Sequence, residues 1–371
     1  MTPAADPARR ELDARVLAWL REPDWRDDDA RFQALALELF AFQWERCLPY
    51  QRFCQRRGVS PATLSDWREI PAVPTGAFKE LELRSFPARH TVHVFRTSGT
   101  STSLRGALHL DTLELYEASL LPSFAHHLLP ELRPGQRAPI LVLAPSAAEA
   151  PDSSLSHMFG VLLRELGTAE SGCFLREGEL RTDDLLAAME RAAARGGPLA
   201  LCGTAFAFVF LLDELARRGL ALALPPGTRI LETGGYKGRA RELGQAALYQ
   251  GIEARLGVPA ARIVNQYGMT ELASQFHDSV LRLPGEPRRK LGPPWTRVKI
   301  VDPVSGAPVA DQQVGQIVVL DLANTGSVLA LQTADLGRSL PGGFEVLGRE
   351  PGAEARGCSV AADELLAGAG A

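Results

Sequence analysis

Lysine is scarce in this chain: Lys79, Lys237, Lys290 and Lys299 are the only four among forty basic side chains. No basic excess exists either, because the formal net charge is -4. That argues against nucleic acid as the main partner, since binding a phosphate backbone calls for a basic stripe. The five cysteines, Cys47, Cys54, Cys173, Cys202 and Cys358, are an odd number without a Cys-x-x-Cys pair or a His at metal-ligand spacing. A disulfide framework and a zinc module are therefore not expected, and reduced thiols in a cytoplasm fit best. The start lacks the charged and apolar regions of a secretory signal, so none is expected. The longest apolar run, residues 199–212, falls short of the ~20 residues that span a bilayer. No membrane span is expected, and no repeat of twenty to fifty residues is visible.

What is present is ordinary globular composition, with 46% hydrophobic and 23% charged residues over 371 positions. That length supports a large core in two or three domains, or one large domain with a small appendage. Residues 11–54 carry helical spacing through Leu12, Val16, Leu20, Phe32, Leu35, Phe40, Trp44 and Leu48. Pro61, Pro71 and Pro74 then rule out a continuous helix and predict an extended connection. Asp111 with Glu114 has the spacing of a capping box, ahead of an apolar face at Leu113, Tyr116, Leu120 and Phe124. Strands predicted at 140–143, 199–202, 229–231 and 262–264 alternate with helices at 155–166, 183–195, 206–218 and 239–256. Such alternation predicts an α/β fold with a mostly parallel sheet covered on both faces. Within the third helix, Phe206, Phe208 and Phe210 alternate and could line a tunnel, but packing in the core is the expected reading. After Pro293-Pro294 the period changes to short alternating runs around 298–300, 317–320 and 328–331, which predict a small antiparallel β subdomain.

The stretch Arg96-Thr97-Ser98-Gly99-Thr100-Ser101-Thr102-Ser103-Leu104-Arg105-Gly106 combines hydroxyls, open backbone amides and cations, the donor set that a polyphosphate needs. It joins two short apolar runs and so reads as a loop between strands. Alone it is equally an ordinary Ser/Thr-rich loop. A Walker P-loop is excluded, because Ala107 rather than Lys follows the second glycine. Parallel sheets bind ligands beyond the carboxyl ends of their strands, and two further loops there carry unusual chemistry. These are Glu232-Thr233-Gly234-Gly235-Tyr236-Lys237-Gly238-Arg239 and Asn265-Gln266-Tyr267-Gly268-Met269-Thr270-Glu271, either of which taken alone reads first as an ordinary loop.

Together the three segments resemble the adenylate-forming enzymes, which activate carboxylic acids as acyl-AMP. Thr102 stands where that family's second phosphate-loop glycine is usual, and Arg105 near its lysine. The resemblance implies an adenylate-forming core of parallel sheets, with the β subdomain at about 293–333 and a truncated C-terminal lid. It implies that Thr97, Ser98, Gly99, Thr100 and Ser101 cradle the phosphates of ATP, that Gly234, Gly235, Tyr267 and Gly268 contact the nucleotide, and that Glu271 binds Mg²⁺. Thr270, Lys237 and Arg105 become catalytic candidates. Gln332-Thr333-Ala334-Asp335-Leu336-Gly337 resembles the family's ribose-binding segment, which makes Asp335 and then Arg349 ribose or phosphate contacts. No lysine follows Asp335, so the family's usual catalytic lysine domain is not expected.

The set formed by Glu232 to Arg239, Tyr267 to Gln275, Pro71-Ala72-Val73-Pro74 with Phe78-Lys79, and Arg356-Gly357-Cys358-Ser359 is similar to the acyl-protein synthetase (LuxE-like) family of the bacterial luminescence fatty-acid reductase system. That resemblance implies a ligase acting on a long-chain fatty acid, with Cys358 as acyl carrier and an acyl reductase or other acceptor protein as partner. An acyl-CoA ligase and a non-catalytic nucleotide-binding subunit stay open as alternatives. The implied layout is a helical segment at 1–80, a core at 81–333 and a lid and carrier segment at 334–371.

Overall fold

The computed structural model describes residues 6–97, 105–234 and 244–349. The N-terminal helical stretch forms three helices, α1 (Pro7–Leu20), α2 (Asp29–Arg46) and α3 (Leu48–Arg56). Two features break it: the Asp28 carboxylate caps α2 by accepting from Arg31 N at 2.9 Å, and Pro49 occupies the first turn of α3. The proline-rich connection contains β1 (Val73–Pro74), followed by β2 (His93–Arg96), β3 (Ala107–Leu110) and α4 (Glu114–Leu128). Next come β4 (Ile140–Leu143), α5 (Ser154–Leu166), β5 (Gly172–Cys173), a small hairpin of β6 (Leu175–Arg176) and β7 (Glu179–Leu180), and α6 (Thr182–Ala194). The alternation continues with β8 (Ala200–Gly203), α7 (Ala205–Arg217), β9 (Arg229–Glu232), α8 (Gln245–Leu256), β10 (Ile263–Tyr267) and β11 (Phe276–Asp278). Last are β12 (Lys290–Leu291), β13 (Thr296–Val301), β14 (Gly315–Asp321), β15 (Ala330–Leu340) and β16 (Gly343–Arg349).

The chain divides into two compact units. The first comprises Met1–Pro122, Met269–Gln275 and Lys290–Ala371. Its sheet runs β13-β14-β15-β16-β12 with antiparallel neighbours, and β1 adds in parallel on β15 through Val73 opposite Leu331. β2 and β3 form a separate antiparallel hairpin.

The second unit comprises Ser123–Gly268 and Phe276–Arg289. Its strands lie in the order β11-β10-β9-β8-β4-β5, and every pairing is parallel except β10 with β11. Because side chains alternate along a strand, each strand feeds two cores. Leu141, Leu143, Leu201, Ile230 and Ile263 pack with the buried faces of α6, α7 and α8. Gln266 on β10 instead meets Met158 of α5, with Nε2 at 3.5 Å from the sulfur. Both sheet faces are covered, as the runs of consecutive apolar residues predict.

Two sequence expectations are corrected. The first turn of α4 is capped not by Asp111 but by Thr112, whose Oγ1 accepts from Glu114 N at 3.1 Å. Asp111 is taken by Arg9, with Nη2 at 3.3 Å from its Oδ1. The three phenylalanines of α7 do not share a core, because residues two apart on a helix point about 200° apart. Phe208 is fully buried, whereas Phe206 and Phe210 are 38% and 50% exposed. Phe208→Ala is expected to lose about 3–5 kcal/mol of stability and Phe206→Ala no more than about 0.5 kcal/mol. Urea unfolding of both variants checks this, and equal losses would contradict the assigned helix face.

Candidate functional site

The motif that ends in Glu271 is held, in the first unit, by one buried carboxylate. Asp321, at the end of β14, has no exposed surface. Its Oδ2 accepts from Ala273 N at 3.0 Å and Ser274 N at 2.7 Å, and its Oδ1 accepts from Ser274 Oγ at 2.8 Å and Ala323 N at 3.0 Å. Burial pushes this carboxyl up to about 6, while the four donors pull the other way. Three residues on, Asn324 Nδ2 donates to the carbonyl of Glu271 at 2.9 Å and to that of Val328 at the same distance. Trp295 Nε1 completes the arrangement by donating to Ser274 Oγ at 3.0 Å. The backbone from 271 to 274 is thereby fixed at three of its four residues.

Glu271 itself is 6% exposed. Burial pushes its carboxyl up to about 7, Arg349 and Lys79 pull it down, and Asp335 pushes it further up. These four charged residues therefore share one electrostatic neighbourhood, although they come from three separate parts of the chain, around Lys79, Glu271 and the β15–β16 hairpin. Asp335 on β15 lies opposite Arg349 on β16, and Arg349 Nε donates to its Oδ1 at 2.9 Å. Asp335 is buried and Arg349 exposed, so the guanidinium reaches back to the acid from the surface. Lys79 closes a short 3₁₀ turn, Thr75–Lys79. Sequence reasoning did not assign it to a site, because its link to Glu271 is entirely non-local.

The stem of the Ser/Thr-rich loop also belongs to the first unit. Thr97 and Gly106 exchange hydrogen bonds, Thr97 N to Gly106 O at 2.9 Å and Gly106 N to Thr97 Oγ1 at 2.9 Å. A side chain at position 106 would place its Cβ 3.1 Å from Thr97 Cγ2, so glycine keeps the stem closed. Arg105 is exposed, and its Nε donates to the Thr97 carbonyl at 2.6 Å. The cation thus ties the two ends of the loop together.

In the second unit, Glu232 ends β9 and is 2% exposed. Its Oε1 accepts from Tyr249 Oη at 2.8 Å and Asn265 Nδ2 at 2.6 Å, and its Oε2 accepts from Gly234 N at 2.8 Å. Gly234 has φ +66°, a left-handed conformation that glycine adopts without strain. Its carbonyl accepts from Ala205 N at 3.0 Å. The carboxylate at the head of the Glu-Thr-Gly-Gly segment is thus an anchor for the glycine turn. Tyr267 ends β10, is half-buried, and has its ring 6.2 Å from that of Phe276. Gly268 is exposed and Thr270, in the first unit, is half-buried.

Ser98, Gly99, Thr100, Ser101, Gly235, Lys237 and Cys358 lie outside the described residues. Of the other cysteines, Cys47, Cys54 and Cys202 are buried and Cys173 half-buried. Burial raises all four thiols, Cys47 and Cys173 to about 11 and Cys54 to about 12, with Cys202 higher still. Among the described residues no group of three or more His, Cys, Asp or Glu can hold a metal ion, and no helix is long and apolar enough to cross a membrane.

This fold is that of the adenylate-forming ligases. An open conformation of 2-hydroxyisobutyryl-CoA ligase in complex with 2-HIB-AMP and CoA matches it with a TM-score of 0.62 and 16% identity, over 86% of this chain and 69% of that one. The same ligase in its postadenylation state in complex with 2-HIB-AMP matches with a TM-score of 0.62 and 16% identity, over 94% of this chain and 72% of the other. No curated protein matches the chain in sequence. The family model described as "Acyl-protein synthetase, LuxE" matches residues 8–367, and the chain belongs to that family.

The burial of Glu271 has a consequence for stability. Its folded value, about 7, lies above the ordinary 4.5, so the folded state holds the proton more tightly than the unfolded chain. The stability this confers is complete below about pH 4.5 and is lost as pH rises through about 7, a change on the order of 3 kcal/mol at most. Glu271→Gln, which cannot ionise, is expected to be more stable than the unsubstituted protein at pH 8 but not at pH 4. Urea unfolding at the two pH values measures this, and parallel curves for the two proteins would refute it.

Proposed function

We propose that the protein activates a carboxylic acid with ATP and then passes the acyl group to its own thiol at Cys358. The observation that supports this most is the convergence of Glu271, Asp335, Arg349 and Lys79 into one charged neighbourhood on an adenylate-forming fold. In the first step a carboxylate oxygen attacks the α-phosphorus of ATP, the bond to the β-phosphate breaks, and acyl-AMP and pyrophosphate result. In the second the Cys358 thiolate attacks the acyl carbon, a thioester forms and AMP leaves. Splitting one transfer into two suits a thiol nucleophile. A long-chain fatty acid as substrate, and a reductase or other acceptor protein as the recipient, follow from the family resemblance.

The chain's own contribution is mostly positioning and charge. Thr97 and Arg105 hold the stem of the loop whose Ser98, Gly99, Thr100 and Ser101 would face the phosphates. Asp335 offers a carboxylate for ribose hydroxyls, and the exposed Arg349 is a cation beside it. Lys79, Lys237 and Arg105 supply positive charge against the phosphates, and Thr270 a hydroxyl. Gly234, Gly235 and Gly268 allow close backbone approach, with the Tyr267 ring as an adenine platform.

Mg²⁺ suits these residues in one way only. The described residues lack a three-ligand cluster, and Mg²⁺ is commonly held by one carboxylate together with substrate phosphates. Glu271 would be that carboxylate, with the charge of the bound ion favouring the ionised form that burial alone disfavours. When bound, the ion would supply positive charge to the ATP phosphates beyond what Lys79, Lys237 and Arg105 provide.

Acid-dependent exchange between ATP and pyrophosphate, run across acids of different chain length, tests the first step. Glu271→Gln is expected to reduce exchange at least a hundredfold at saturating Mg²⁺, and normal exchange would remove Glu271 from the reaction. Cys358→Ser is expected to leave exchange intact while abolishing hydroxylamine-sensitive labelling of the protein by radioactive acid plus ATP. Labelling that survives the substitution, or acyl-CoA formation without labelling, would replace the relay with an acyl-CoA ligase. Tyr267→Ala is expected to weaken ATP binding about tenfold and Tyr267→Phe hardly at all. Equal losses in direct binding assays would point to the hydroxyl rather than the ring.

A further inference from the structure

The second unit carries a pocket at the opposite end of its parallel strands. Its volume is about 330 Å³, and its lining includes Arg229, Arg262, Pro130, Val280, Leu281 and Pro284. Arg229 opens β9 and Arg262 immediately precedes β10, so both arginines stand at amino ends. Glu232 and Tyr267, at the carboxyl ends of the same two strands, lie about 10 Å or more farther along. The pocket is therefore separate from the strand ends at which an open α/β sheet ordinarily binds its substrates.

The electrostatics of this pocket are incomplete. The Arg229 side chain is only 9% exposed, and its Nε is buried without a hydrogen-bond partner among the described residues. Its Nη1 lies 2.6 Å from Glu131 Oε1 but outside hydrogen-bond geometry. That acid is 53% exposed, so it is the solvent-facing member of the pair, and a ligand anion that displaced it would have to take over its charge on the buried guanidinium. Arg262 makes no ion pair among the described residues and is half-buried. A guanidinium that is desolvated and under-bonded, as that of Arg229 is, is costly to maintain, and the planar guanidinium is the side chain best matched to a carboxylate or phosphate. Pro130, Val280, Leu281 and Pro284 supply an apolar wall to the same pocket. The volume is at the lower end for small-molecule sites.

We propose that this pocket binds a small organic anion, with its carboxylate or phosphate head on Arg229 and Arg262 and a short apolar body against the prolines and Leu281. The site is independent of the proposed ATP-dependent reaction, and its test does not use that activity.

Two photoreactive probes test it on the full chain: a short alkyl carboxylate carrying a diazirine, and the alkyl phosphate of the same length. Peptide mapping is expected to find label on residues 280–285 with at least one probe, and the more efficient head identifies the anion. Arg262→Gln, at a half-buried position that leaves the fold intact by circular dichroism, is expected to cut that labelling at least tenfold, and Arg262→Lys to cut it less. Label on other peptides, which an acid-substrate site would produce, is expected to be unchanged by Arg262→Gln. Inorganic phosphate is expected to compete more weakly than the unlabelled alkyl anion. Absence of label on 280–285, labelling indifferent to Arg262→Gln, or competition by inorganic phosphate equal to that of the alkyl anion would each overturn the proposal.

Discussion

Burial of the Asp321 carboxylate is the constraint on which the first unit's chemistry depends. A carboxylate without solvent is tolerable only when donors surround it, and here three backbone amides and a serine hydroxyl do so. Those donors belong largely to the segment that follows Glu271, so satisfying Asp321 and placing Glu271 are one event. Asn324 extends the same corner by taking the Glu271 carbonyl. The geometry of the acid is thus set by backbone hydrogen bonds rather than by its side-chain neighbours. Its ionisation, by contrast, is set by those neighbours.

That separation explains why an acid is kept at a position unfavourable for it. Lys79 and Arg349 only partly offset the desolvation of Glu271, and Asp335 adds repulsion. Stability and the proposed chemistry make opposite demands here: a neutral side chain suits the fold, whereas a charged one suits a phosphate-bearing ligand with its cation. Glu232 in the second unit shows the other outcome. There a buried acid has its oxygens engaged by Tyr249, Asn265 and Gly234, which leaves it a scaffold for the glycine turn.

The parallel sheet was legible because its strands are continuous apolar runs bounded by glycine and by helical spacing, as in Ile140–Leu143 and around Cys202. The antiparallel strands after Pro293-Pro294 were legible from their change of period. Less legible were elements of two or three residues, such as β5, β11 and β12, which are too short to show a period. Asp111 was assigned to the wrong partner because Arg9, more than a hundred positions earlier, outcompetes the local amide. The helix period also governs the α7 phenylalanines, which makes the assumption of a shared environment for alternate residues wrong. Of the candidate site, the motifs around Thr97, Gly234, Tyr267, Glu271 and Asp335 stood out by residue type. Lys79 and the anchoring role of Glu232 depended on contacts that spacing along the chain does not encode.

The four described cysteines have a bearing on chemoselectivity. An activated acyl phosphate is an indiscriminate electrophile, and any ionised thiol within reach would compete for it. Cys47, Cys54 and Cys202 are shielded inside the protein, and all four described thiols stay protonated at neutral pH because burial disfavours the thiolate. A protein that generates such an electrophile on its own surface would thereby avoid acylating its own core, because the same burial that hides these thiols also keeps them protonated.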